Sequence, residues 1–166
     1  MRALGRLIDL GVGFVPVDTQ TGANTGKRIA LKGATGISFV LFKGAGSGTD
    51  VPVWTLQEHN AASAGTSQNL AAITAWHYKS ATTLAGTEAW SSSTQAASAT
   101  LTLTGEATKQ GIYVVEVDAS SLSDTFTHVS MSIADTGAAG AQLGCMLYVL
   151  HDLVVQRAPA NLAATL

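Results

Sequence analysis

A chain of 166 residues is long enough for a single domain with a substantial core. Its formal charge of −2 gives no electrostatic case for binding nucleic acid or an anionic membrane, and no apolar run reaches the roughly 18–20 residues that a membrane-spanning helix needs. Only 12% of residues are charged, about half the usual share. A surface carried by threonine and small residues suits burial against neighbouring subunits, and it suits an ordinary Thr-rich β-protein equally.

Residues 1–10 hold Arg2 and Arg6 but no long apolar core, a poor match to a signal peptide, which points to synthesis in a cytoplasm. Leu4, Leu7, Ile8 and Leu10 fall along one side of a short helix that Gly5 and Gly11 weaken. Residues 1–12 are therefore expected as an N-terminal arm, 13–157 as the domain and 158–166 as a C-terminal tail. Residues 13–17 read as an edge strand, because Pro16 cannot donate to a ladder. Strands are expected at 27–31 and 37–43, the second apolar on both faces through Ile37, Phe39, Leu41, Val40 and Phe42.

Trp54 and Leu56 share a face of the next segment, 51–59, and residues 60–69 read as a loop of small residues. In 71–79, Ile73, Ala75 and His77 lie opposite Trp76 and Tyr78; residues 80–98 read as a long loop with Trp90 its bulky anchor in the second half. Leu101 and Leu103 alternate with threonines, the cleanest period of two in the chain. A strand at 111–117 precedes a single turn that Asp118 is placed to cap. Val129, Met131 and Ile133 form the inward side of another strand. The longest apolar run, 143–155, contains Val149, Val154 and Val155 and reads as a long interior strand. Read as buried on both faces, it requires layers above and below, with His151 and Asp152 marking where it bends or leaves the core. Short strands separated by Gly-rich turns predict an all-β, single-domain antiparallel β-sandwich, jelly-roll-like.

Motifs for chemistry are sparse. The glycines at 44, 46 and 48 follow a strand, but no helix opens after them and Pro52 intervenes, so they read as a turn. The segment from Gly22 to Lys27 fails as a phosphate loop, with Thr21 where the first glycine belongs and Arg28 where a hydroxyl would hold magnesium. His59, His77, His128 and His151 lack metal-ligand spacing. His151 and Asp152 could be an acid–base pair, yet adjacent strand residues point to opposite faces. No catalytic, cofactor-binding or metal-binding residue is expected, and no cofactor. The one cysteine, Cys145, reads as a small buried hydrophobe. Trp54, Trp76, Tyr78 and Trp90 are candidates for a sugar-stacking platform, although such rings more often serve core or subunit contacts.

Four stretches carry a resemblance: residues 10–24, with Phe14, Pro16 and Asp18; residues 40–52, followed by Thr55, Leu56 and Gln57; residues 114–122; and residues 141–150. Together they resemble a family of small virion proteins of tailed bacteriophages, over a span from Leu4 to Arg157. The resemblance implies a capsid decoration or cement protein, located on the capsid exterior after synthesis in the host cytoplasm. It implies no enzyme activity. The expected partners are the major capsid protein and other copies of the chain, most often as a homotrimer, with no nucleic acid and no membrane. Leu4, Leu7, Ile8, Leu10 and Trp90 are the expected capsid or subunit contacts, being apolar side chains that need a cover. A tail or head-fibre component and a carbohydrate-binding β-sandwich for host attachment fit the same composition.

Overall fold

Along residues 143–153 every second side chain is buried up to Leu150, and those between are not. That alternation, seen in a computed structural model that describes residues 3–162, is the signature of a strand covered on one face only. The strands are β1 (Ile8–Asp18), β2 (Ile29–Ala30), β3 (Ala34–Lys43), β4 (Val53–His59), β5 (Ser67–Asn69), β6 (Ile73–Ala81), β7 (Ser91–Ser98), β8 (Thr100–Thr102), β9 (Gln110–Asp118), β10 (His128–Ile133) and β11 (Leu143–Leu153). One sheet has the order β1-β11-β3-β9-β6-β7; the other runs β2-β10-β4-β5, with β8 also on β4. All pairings of these strands are antiparallel. This is the all-β antiparallel sandwich expected from the sequence. The strand order supports the sandwich class and does not by itself establish jelly-roll wiring.

The core lies between the sheets. Ile37, Phe39 and Leu41 of β3, Tyr113 and Val115 of β9 and Met146 of β11 come from the larger sheet; Trp54, Leu56, Leu101, Val129, Met131 and Ile133 come from the smaller one. The inward sides of β4, β8 and β10 are those predicted by the period of two. Both β3 and β11 are interior strands, since β3 sits between β11 and β9 and β11 between β1 and β3.

Five expectations change. Cys145, expected as a small buried hydrophobe, is part-exposed on the outer side of β11. The two-sided apolar character of β3 and β11 does not signal a third layer: Phe42, Leu143 and Leu147 are exposed at 51%, 64% and 36%. The arm is shorter than residues 1–12, because β1 begins at Ile8 and pairs Leu10 with Val149 and Val12 with Leu147. The expected loops 60–69 and 80–98 contain β5 and β7. Asp118 precedes a 3-10 turn at Ala119–Ser121 but makes no side-chain cap to it. The tail contains a further turn at Pro159–Asn161, and its last four residues lie outside the described chain. β1 is the edge strand that Pro16 announced, with irregular register on both sides of Phe14.

Truncation separates the two faces of the sheet. Leu41→Ala, at a fully buried position, should cost about 2–5 kcal/mol in urea denaturation, whereas Leu147→Ala on the outer face should cost less than about 1 kcal/mol.

Candidate interaction surface

The register of the larger sheet sets its outward side chains in rows. One row crosses the sheet as Val12, Leu147, Val40, Val114, His77 and Ser92. On one side of it lies the row Leu10, Val149, Ser38 and Glu116; on the other lie Cys145, Phe42, Ile112 and Lys79. Nine of these positions are apolar or cysteine, and they are contiguous over β1, β11, β3 and β9. Leu10 is 53% exposed and Val12 38%. A surface this apolar on a single connected face is what interaction sites present and what isolated exposed leucines do not.

Charge is confined to the ends of the face. Glu116 and Asp118, both exposed, lie toward one end, and the Ser38 hydroxyl stands 3.4 Å from the Glu116 carboxylate. Lys79 lies toward the other end, its ammonium 5.1 Å from the ring centre of Trp90, a cation–π contact that places Trp90 beside the face. His77 and Ser92 share a hydrogen bond of 2.7 Å at the β6–β7 edge. The structure thus brings two of the expected contact residues, Leu10 and Trp90, to opposite edges of one face. Leu7 is exposed and Ile8 opens β1 opposite His151. Leu4 lies elsewhere, in an open cleft of about 290 Å³ with Arg6, Gln156, Arg157, Ala158 and Pro159.

A second concavity opens between the sheets beside β6. Trp76, Tyr78, Ser93, Thr102, Leu103, Thr104 and Glu106 line about 220 Å³. Tyr78 stacks on Tyr113 at 6.1 Å between ring centres. The Tyr113 hydroxyl donates to Glu106 Oε2 at 2.9 Å, and Lys109 donates to Oε1 at 2.8 Å. Burial works against the Glu106 charge, but these donors, with Ser80 and the Lys109 charge, hold its carboxyl below the usual range. Of the four rings named as a sugar platform, only Trp76 and Tyr78 meet here; Trp54 is wholly buried.

Two long polar side chains at the end of the sandwich, Lys43 and Gln142, find their partners internally. Lys43, 2% exposed, donates to the carbonyls of Gly44, Ala107 and Lys109 at 3.0, 3.4 and 2.6 Å. Burial chiefly lowers its pKa to about 8; the Lys109 charge acts in the same direction and the Glu106 carboxylate opposes it. Gln142, fully buried, donates to the carbonyls of Asp50 and Ala107 at 3.1 and 3.2 Å, so one amide ties two loops together.

Register also joins His59 to His128 across β4 and β10, a proximity that a separation in sequence conceals. His59 shares hydrogen bonds with Ser67 and Ser130 at 2.7 and 2.8 Å. Burial, then the charges of Arg28 and His128, lower its pKa against the pull of Glu58. At 3% exposure this imidazole is a packed structural group. His151 and Asp152 do meet, at 3.0 Å, because Asp152 adopts a left-handed φ of 53° and breaks the strict alternation. Among the described residues no group of three His, Cys, Asp or Glu side chains is placed to hold a metal ion, and no helix is long and apolar enough to cross a membrane. Comparison with known protein families, curated proteins and solved structures finds no match to this chain.

Lys43 yields a pH prediction. Its folded pKa lies below the ordinary 10.5, so between about 8 and about 10.5 the unfolded chain binds more protons than the folded one and stability rises with pH. The penalty of a buried ammonium is complete below about pH 8 and is relieved above it. Denaturation of wild type and Lys43→Met from pH 7 to 10.5 should show that rise in wild type relative to the variant.

Proposed function

We propose that this chain is a non-enzymatic structural protein of a tailed-phage virion, binding the outside of the capsid and stabilising it as a decoration or cement protein. The single observation that supports this reading most is the uncovered apolar face of the larger sheet, carried by a chain of which only 12% is charged. A cement protein works by area: apolar and backbone contacts, individually weak, add over several subunits held in fixed geometry. The resemblance of residues 10–24, 40–52, 114–122 and 141–150 to small virion proteins points the same way. The partners on this reading are the major capsid protein and further copies of the chain.

Purified virions of the encoding phage test it. Mass spectrometry should find the chain in stoichiometric amount, and cryo-microscopy should place it on the outer shell. Its absence from intact particles, or its presence in the tail alone, would sink the capsid reading. Leu10→Glu places a charge on the exposed face and should reduce capsid occupancy several-fold while the circular dichroism of the β-sandwich is retained.

A second reading, a carbohydrate-binding module for host attachment, is favoured by the cleft of Trp76, Tyr78 and Glu106. Two rings supply a stacking wall, and Glu106, Thr102, Thr104 and Ser93 supply groups that bond sugar hydroxyls. On a glycan array, binding lost in Trp76→Ala and kept in Trp90→Ala would favour this module. No binding by the wild type would dismiss it.

A further inference from the structure

We infer that two copies of this chain pack outer sheet face against outer sheet face, about a two-fold axis along the row Val12, Leu147, Val40 and Val114. The pairing goes beyond the structural reading above and uses the same face: the free chain covers it with a second copy, which a capsid contact through that face would displace, so it requires no capsid.

The extent of the face is the first argument. Four strands, β1, β11, β3 and β9, spaced about 4.8 Å apart and apolar on the outer side over about three residues on β3 and β9 and about five to seven on β1 and β11, present roughly 300 Å² in projection. Two such faces together bury on the order of 600 Å² in projection, the size of a weak and reversible interface and not of an obligate one. The outward side chains at the centre are Val, Leu and Ile, flanked by Phe42 and Leu10 at 51% and 53% exposure. These are the materials of sheet-on-sheet packing, in which two aligned faces lie about 10 Å apart.

Charge placement selects a second copy over a charged partner. The central row Val12, Leu147, Val40 and Val114 contains no carboxylate or ammonium; Glu116 and Asp118 lie toward one end of the face and Lys79 toward the other. A two-fold axis along the central row exchanges the ends, so the acidic end of each copy lies over the basic end of its mate. The face is thus complementary to itself. An acidic partner would meet a neutral centre and Lys79 alone, and a basic partner a neutral centre with acidic groups at one end only.

The adjacent edge is unsuited to joining copies by strand addition. β1 carries Pro16 and irregular register between Val12 and Val17, features that blunt an edge. Contact between copies through this part of the molecule therefore runs through the face. A self-complementary face closes on itself as a pair. The homotrimer implied by the family resemblance would need a head-to-tail contact elsewhere.

Sedimentation of the purified full chain from about 5 to 500 µM tests the pairing. The expected result is a reversible monomer–dimer equilibrium with dimer predominant at the upper end. Phe42→Asp, at a half-exposed position that the fold does not need, should keep its far-ultraviolet spectrum and weaken the dimer at least about a hundredfold, because a charge is buried without a partner. Leu147→Asp provides the same test at the centre. Glu116→Lys should weaken association, and Glu116→Lys combined with Lys79→Glu should recover part of it. A wild type that is monomeric at the highest concentration overturns the inference, as does a trimer. A dimer indifferent to both Asp substitutions overturns the face. The measurement uses no virion, so failure of the capsid reading leaves a positive result intact, and a monomer leaves the capsid reading to its own test.

Discussion

A two-layer sandwich can cover only one side of each sheet, and the rest of this molecule follows from how that constraint meets a sequence apolar on both sides. β3, β9 and β11 carry large side chains at both parities. One set, with Phe39, Leu41, Tyr113, Val115 and Met146, is buried against β4, β8 and β10. The other set has no layer to meet within the described chain. The choice of inner face is forced by register, because a slip of one residue would exchange the sets along a whole strand. The second sheet, with strands of two and three residues at β2, β5 and β8, closes the inner face and nothing more.

The ends of the sandwich are held by polar groups rather than by added apolar area. Gln142 and Lys43 each reach at least two backbone carbonyls on different segments, and Thr19 donates to the Gln142 carbonyl at 2.8 Å. A buried amide or ammonium left without partners would cost several kcal/mol. The carbonyls of Ala107 and Lys109 therefore fix where the β8–β9 connection lies. That connection supplies Glu106 to the cleft beside Trp76, so the position of a candidate ligand group is set by core hydrogen bonds. Gln142 and Lys43 thus order these connections through hydrogen bonds where the chain has few charges to do so.

Much of the inner face was legible from alternation. Leu101 and Leu103, then Val129, Met131 and Ile133, announce their side because threonine, serine and histidine occupy the positions between. β11 was visible as the longest apolar run, through its β-branched residues and not through alternation, and that run could not say which parity would be covered; a third layer was the natural inference from apolar character on both sides. β5 and β7 were illegible for a different reason. Residues 67–69 and 91–98 contain almost no apolar side chain, and their strand state comes from ladder bonds to β4 and β6, which composition does not record. The pairing of His59 with His128 depends on register between segments seventy residues apart. The His151–Asp152 contact depends on one left-handed residue, a departure that no pattern of residue types announces. The candidate contacts Leu10 and Trp90 could be named singly from the sequence, but their common face required the sheet order.

The first and last strands are neighbours, and they run in opposite directions. Ile8 pairs with His151 and Asp18 with Leu143, so the start of β1 lies beside the end of β11. The Arg157 amide donates to the Gly5 carbonyl at 2.6 Å just outside the pair. A tension applied through the two ends of the domain would thus load the β1–β11 ladder one hydrogen bond at a time, as a zip opens, instead of shearing all of them together. The larger sheet would yield first at the strand that carries Leu10 and Val12. Load passed through any surface contact spanning both strands would bypass that weak seam, and a mate seated across β1 and β11 would act as a mechanical clasp.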